Sequence, residues 1–263
     1  MRSPVLSSIV LLGTLWAANN QTAAPRLVRV LTYNIHHGEG TDRQFDLARL
    51  ADIIKSAEPD LVALQEVDQG TARASGLNQL DELGRLTRMH TAFGKAMDFQ
   101  GGGYGVGVLS RRPILSVQRY PLPGLPDREP RVALTVEVEI GENGPVVQFT
   151  STHLDQGRDI ANRVTQADFL NQTLALTERP GILAGDLNSR PDTEAMQVLN
   201  LQWINASPVE PQRDPTARPF GRVDHVLMRP THNWRAIEST VVDAPVASDH
   251  RPLLIVLEWL PKP

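Results

Sequence analysis

Hydrophobic positions along this chain follow two periods, and the switches between them mark the elements. Residues 27–35 alternate into an apolar, β-branched strand, whereas between Phe45 and Ala57 the side chains Leu47, Leu50, Ala51 and Ile54 share one helical face. Pro59-Asp60 ends that helix, and the nearly unbroken apolar run from Leu61 to Val67 has the pattern of a strand buried on both faces. Leu77, Leu80, Leu83 and Leu86 predict a second helix, and Gly101-Gly102-Gly103 a flexible loop before a strand from Tyr104 to Leu109. Pro121, Pro123, Pro126 and Pro130 predict an irregular, extended connection.

Val132–Ile140 and Val146–His153 flank Gly141-Glu142-Asn143-Gly144, a hairpin pattern that brings antiparallel pairing into the sheet. A helix over Ile160 to Leu176, a short strand from Ile182 to Ala184, a loop at 186–192 and a helix from Asp192 to Leu199 follow. Strands around Val223–Met228, Ile237–Val242 and Leu253–Glu258 complete the pattern, with the Pro/Arg-rich stretch 206–222 read as a surface loop. Strands and flanking helices recur in both halves without a low-complexity linker, which predicts one layered α/β domain rather than two.

Composition narrows this picture. A length of 263 residues with 41% hydrophobic side chains suffices for a large core. Residues 1–24 differ from the rest: Arg2, a mostly apolar run from Val5 to Ala18, then polar Asn19-Asn20-Gln21. That is the pattern of a signal peptide, and it predicts an exported chain, periplasmic or secreted, whose folded domain is 25–263. An uncleaved membrane tether is the alternative, although the apolar run is short of the roughly 20 residues a span needs. The chain has no cysteine, so any metal is held by oxygen or nitrogen ligands. Its net charge of −4 disfavours broad polyanion binding without excluding a local basic groove.

Six stretches close plausible strands with a carboxylate, an amide or an imidazole: 32–34, 64–66, 152–155, 185–188, 223–225 and 248–250. Glu66 ends a buried strand, where a carboxylate calls for a cation or an arginine partner. Asn34 is either a metal or phosphate contact or an Asx-turn residue. Asp186 and Asn188, two residues apart, can share one water in extended backbone, with helix capping as the alternative. Asp249 and His250 diverge as neighbours on a strand, so the carboxylate can reach a metal while the imidazole faces substrate. Asp224 is a candidate to fix the His250 tautomer, and His153 a candidate phosphate contact. Asp155 reads as a turn residue, and His36, His37, His225 and His232 have polar-loop or packing explanations.

Taken together, Tyr-Asn-Ile at 33–35, Leu-Gln-Glu-Val at 64–67, Tyr-Gly-Val-Gly-Val-Leu-Ser-Arg at 104–111, Thr-His-Leu-Asp at 152–155, Gly-Asp-Leu-Asn at 185–188, Val-Asp-His-Val at 223–226 and Ser-Asp-His-Arg-Pro-Leu at 248–253 resemble the Mg²⁺-dependent endonuclease/exonuclease/phosphatase superfamily. Each motif is weak alone; their order and spacing are specific, and the likeness runs from about Arg29 to Leu257. The resemblance implies a four-layer α-β-β-α sandwich, DNase I-like, with two facing mixed β-sheets and the site at one edge. It also implies Glu66, Asn34 and Asp249 as ligands of Mg²⁺, with Mn²⁺ a substitute. Asp186 and Asn188 would handle the attacking water, and His250, held by Asp224, would stabilise charge or act as base. Asn188, His153, His250 and Arg131 would contact phosphate, and Tyr104 would support the site.

The implied reaction is in-line attack of activated water on a phosphate ester. A phosphodiesterase acting on a lipid head group, sugar phosphate or nucleotide is the first reading, and an extracellular nuclease on DNA or RNA the second. An exported, non-catalytic cation-binding module is the alternative of another class. No stable membrane span is expected once the leader is removed.

Overall fold

The computed structural model describes residues 26–174, 177–207 and 215–260; the expected leader at 1–24 lies outside the described residues. Strands β1 (Arg26–Asn34), β2 (Leu61–Gln69), β3 (His90–Phe99) and β4 (Gly102–Ser110) join β11 (Trp234–Val241) and β12 (Leu253–Trp259) in one sheet, ordered β11-β12-β1-β2-β4-β3. The second sheet is β5 (Ile114–Pro121), β6 (Val132–Glu139), β7 (Val146–His153), β8 (Gly181–Asp186), β10 (Asp224–Arg229) and β9 (Ile204–Asn205), in that order. Both sheets are mixed. The parallel pairs β1–β2 and β7–β8 are each connected through a helix, α1 (Leu47–Ala57) and α3 (Ala161–Leu174). Helices α2 (Gln79–Thr87) and α4 (Glu194–Leu199) complete the outer layers.

Strand periodicity explains the layers. On β1, Val28 and Val30 face the other sheet, while Leu31 and Tyr33 face α1 and α2; on β6, Val132, Leu134, Val136 and Val138 all point inward between the sheets. A second apolar layer forms where Leu50 and Ile54 of α1 and Leu80 and Leu83 of α2 meet the first sheet. A third packs Leu170 of α3 and Met196 of α4 on Leu183 and Leu227 of the second. The result is the expected four-layer sandwich. Helix α1 starts where Asp46 accepts the Arg49 N–H at 2.9 Å, an N-cap, and ends at Glu58 in the left-handed region.

Several local expectations need correction. Strands β3 and β5 were not visible in the pattern, because each is a sheet edge paired on one side only and buries few of its residues. Gly102 and Gly103 belong to β4 rather than to a loop, and a Cβ on Gly105 would lie 2.0 Å from the Gly94 carbonyl oxygen, so strand packing explains that glycine. Helix α4 begins at Glu194, after Thr193, rather than at Asp192. In the stretch read as surface loop, Thr216 and Arg222 are buried, and the Thr216 hydroxyl accepts the N–H groups of Val223 and Asp224, both at 3.2 Å; residues 208–214 lie outside the described residues. Among the described residues no helix is long and apolar enough to cross a membrane.

Candidate active site

Register assembles the site. His153 at the end of β7 lies opposite Asp186 at the end of β8, and Asp186 lies opposite Asp224 at the start of β10. Each continues the inward-facing set of its own strand: Val147 and Phe149, Ile182 and Ala184, Val226 and Met228. Three adjacent strands therefore present imidazole, carboxylate and carboxylate in one buried row at the rim of the sandwich. Gly185 permits this approach, since a Cβ there would come within 1.9 Å of the Thr152 carbonyl oxygen.

The facing sheet supplies Asn34 and Glu66. By strict alternation Glu66 would point toward the helices with Leu64. Instead the β2–β4 register shifts between Leu64 and Val67, and Glu66 adopts φ +59. This bulge re-aims its carboxylate toward Asn34. The Asn34 amide nitrogen donates to Glu66 Oε1 at 3.0 Å and to Asp186 Oδ2 at 3.2 Å, bridging the two acids across the sandwich. Its oxygen accepts the His36 N–H at 3.1 Å. The amide nitrogen thus spaces the two carboxylates, while the oxygen keeps a second lone pair beside its contact to His36. The Ser248 hydroxyl donates to the Asn34 carbonyl at 2.8 Å and brings Asp249 and His250 to the same rim.

The Asp224–His250 pair forms as expected. His250 Nδ1–H donates to Asp224 Oδ2 at 2.9 Å, and Nε2 lies 3.6 Å from Asp186 Oδ2. Burial works against the charged imidazole, but Asp224, then Asp186 and Asp249, outweigh it and raise its pKa to about 10. The Asp186 carboxyl is pushed up to about 7, through burial and then the charge of Asp224, partly offset by His250, the Asn188 N–H and Asn34. His153 is held neutral by burial, by Arg131 and by His250.

Arg131 Nη1 lies 2.9 Å from His153 Nδ1, and His153 Nε2 lies 3.4 Å from Asp186 Oδ2. Asn188, at φ +46, turns back so that its N–H reaches Asp186 Oδ1 at 2.9 Å and its amide nitrogen lies 3.0 Å from His153 Nε2. Neither residue caps a helix. Arg131 also pairs with Glu129 at 2.7 Å and lines the cleft beside His153, with its side chain buried. Tyr104 hydrogen-bonds Glu129, and its own pKa is raised by burial and then by Glu66 and Glu129, keeping the phenol protonated.

Beside this row opens a cleft of about 310 Å³, lined among others by His36, His37, Glu66, Arg73, Tyr104, Glu129, Arg131 and Asp249. Glu66, Asp249 and Glu129 make it rich in oxygen donors. Among the described residues no arginine, lysine or histidine lies within ion-pair distance of Glu66, whereas Arg73 is bound bidentately by Asp68 at 2.6 and 2.9 Å. An acid without a cationic partner, facing a cleft with a second carboxylate, fits a hard divalent ion. Sequence reasoning missed Arg73, Glu129 and the two cleft histidines. Glu129 sits two residues from Arg131 in the connection before β6, and the two pair at 2.7 Å.

His225 is an interior packing residue, as its apolar surroundings suggest. Nε2 donates to the Ser189 carbonyl at 2.8 Å and Nδ1 accepts from Asn205 at 3.2 Å. Burial lowers its pKa to about 4, below the 6.5 of an exposed imidazole. The stability it contributes is therefore complete above pH 6.5 and is lost as pH falls toward 4, by about 3 kcal/mol. Urea unfolding at neutral pH and near pH 4.5 should show a smaller acid loss for His225→Gln than for the wild type. Equal losses would place the acid sensitivity elsewhere.

Two facing mixed sheets with acids and imidazoles gathered at one edge define a four-layer α/β sandwich with a polar site at its rim. The Endonuclease/Exonuclease/phosphatase family profile matches residues 31–250, and the chain belongs to that family. Similar solved structures include an endonuclease/exonuclease/phosphatase from Beutenbergia cavernae DSM 12333, with 24% identity, TM-score 0.74, and coverage of 89% of this chain and 72% of that one. The mannosyl-6-phosphatase Bt3783 of Bacteroides thetaiotaomicron VPI-5482 aligns at 15% identity and TM-score 0.68, covering 88% of this chain and 99% of that one. The human Nocturnin catalytic domain with bound sulfate aligns at 19% identity and TM-score 0.69, covering 89% and 94% respectively. At these identities the likeness establishes the fold.

Proposed function

We propose that the protein is a Mg²⁺-dependent phosphodiesterase acting by in-line attack of water. The observation that carries this reading is the Asn34 amide joining Glu66 to Asp186. It sets a cation-binding acid and a proton-accepting acid side by side. Glu66 and Asp249 would hold the ion, with Asn34 fixing Glu66. When bound, Mg²⁺ supplies Lewis-acid stabilisation of phosphoryl charge.

The chain's own residues do the rest. Asp186 orients the attacking water and takes its proton as the water oxygen bonds to phosphorus and the ester P–O bond breaks. The Asn188 amide and the His153 ring contact phosphoryl oxygens, and His250, oriented by Asp224, stabilises the charge that develops there. Arg131 anchors the His153 ring.

A small diester of a lipid head group, sugar or nucleotide suits this site better than a nucleic acid, since the chain is acidic overall and carboxylates line the cleft. The leader pattern favours action outside the cytoplasm. Bis-p-nitrophenyl phosphate should be hydrolysed with Mg²⁺ or Mn²⁺ and not with EDTA; activity indifferent to EDTA would overturn the metal dependence. A panel of plasmid DNA, RNA, phospholipids and sugar phosphates ranks the substrates, and a strong preference for DNA would put the nuclease reading first.

A further inference from the structure

We propose that His36, His37 and Glu66 form a second cation site, selective for a nitrogen-preferring transition ion such as Zn²⁺ or Co²⁺. One ligand atom from each residue lies within 4.8 Å of the others. Ligands around a tetrahedral ion are separated by about 3.5 Å, so modest side-chain rotation closes the set.

The histidine ring contacts support this assignment. His36 Nδ1–H donates to the Glu39 carbonyl at 3.0 Å, which leaves the Nε2 lone pair free. A backbone carbonyl on the far nitrogen is the partner that ligating histidines commonly have. His37 Nε2 lies 3.7 Å from Glu39 Oε2, while its Nδ1 is buried without a hydrogen-bond partner. A histidine serving only to pack would satisfy that nitrogen. Both residues line the cleft into which Glu66 points, and both adopt φ +45, held there by the one-turn segment His36–Gly38.

Donor chemistry separates this site from the one formed by Glu66 and Asp249. Two imidazoles and one carboxylate select Zn²⁺ or Co²⁺ over Mg²⁺, which prefers oxygen. Arg73, which lines the same cleft, is bound by Asp68 through two hydrogen bonds. The site shares Glu66 with the hydrolytic reading but rests on the histidine pair.

The test is Co²⁺ titration of the full chain with millimolar Mg²⁺ present, followed by the visible ligand-field spectrum, together with calorimetry using Zn²⁺. One ion per chain and a nitrogen-ligated Co²⁺ spectrum are expected. His36→Ala and His37→Ala should each weaken binding by about 10- to 100-fold or more, whereas His90→Ala, at an exposed position on β3, should not change it. His37→Gln, which retains size and polarity, serves if the alanine variant fails to fold by circular dichroism. Unchanged Co²⁺ affinity in the His36 and His37 variants, or wild-type binding no tighter than that of the double variant, would overturn the proposal. Loss of the Mg²⁺ requirement for hydrolysis would instead sink the catalytic reading and leave the cobalt spectrum intact.

Discussion

Asp186→Asn is expected to lower kcat by roughly 10⁴-fold with KM little changed, the upper end of what a positioned general base contributes. The substitution keeps the shape and the Asn188 N–H contact at Oδ1. It removes the proton acceptor set beside both His153 and His250, whose Nε2 atoms lie 3.4 and 3.6 Å from Oδ2. Stability should move the other way. Burial and then Asp224 raise the folded pKa to about 7 from 3.8, so between those values the unfolded chain sheds this proton more readily and stability falls as pH rises. In EDTA at about pH 8, Asp186→Asn should therefore melt at or above the wild-type temperature, and the difference should vanish below about pH 4. A variant that keeps kcat within tenfold of wild type would mean that another group accepts the proton.

The residues that sit in regular strands were the most legible. Asn34, His153, Asp186 and Asp224 each continue an inward-facing set of period two, so the same alternation that predicts the strand also predicts which way its last residue points. Glu66 was legible only as a type of residue at a strand end. Its direction depends on a bulge opposite Val106, and a bulge adds one residue without leaving a mark in the apolar pattern. His36 and His37 were less visible still, because their positive φ values occur without an Asn or Gly at those positions. The unpredicted edge strands β3, β5 and β9 fail for the opposite reason: β5 is exposed over most of its length, so burial imposes little pattern on its sequence. Arg131 illustrates what position alone leaves open, since the same cation lines the cleft and contacts His153.

His250→Ala should reduce kcat by about 10²- to 10³-fold, the cost of losing one preorganised charge-stabilising group. It should also destabilise the fold. Asp224 is buried, its Oδ1 has no hydrogen-bond partner, and the imidazole is the group that meets Oδ2 at 2.9 Å. Removing the ring strands a carboxylate beside Asp186, and breaking such a buried pair costs about 3–5 kcal/mol. Asp224→Asn in the same chain removes the stranded charge, so the double variant should recover most of the lost stability and none of the lost rate. The rate losses should also fail to multiply: with Asp224 acting only through His250, the double variant should be no slower than His250→Ala. A double variant slower by the product of the two single losses would show Asp224 acting on the substrate directly. Retention of wild-type kcat by Asp224→Asn alone would show that the His250 ring is held in place by its other neighbours.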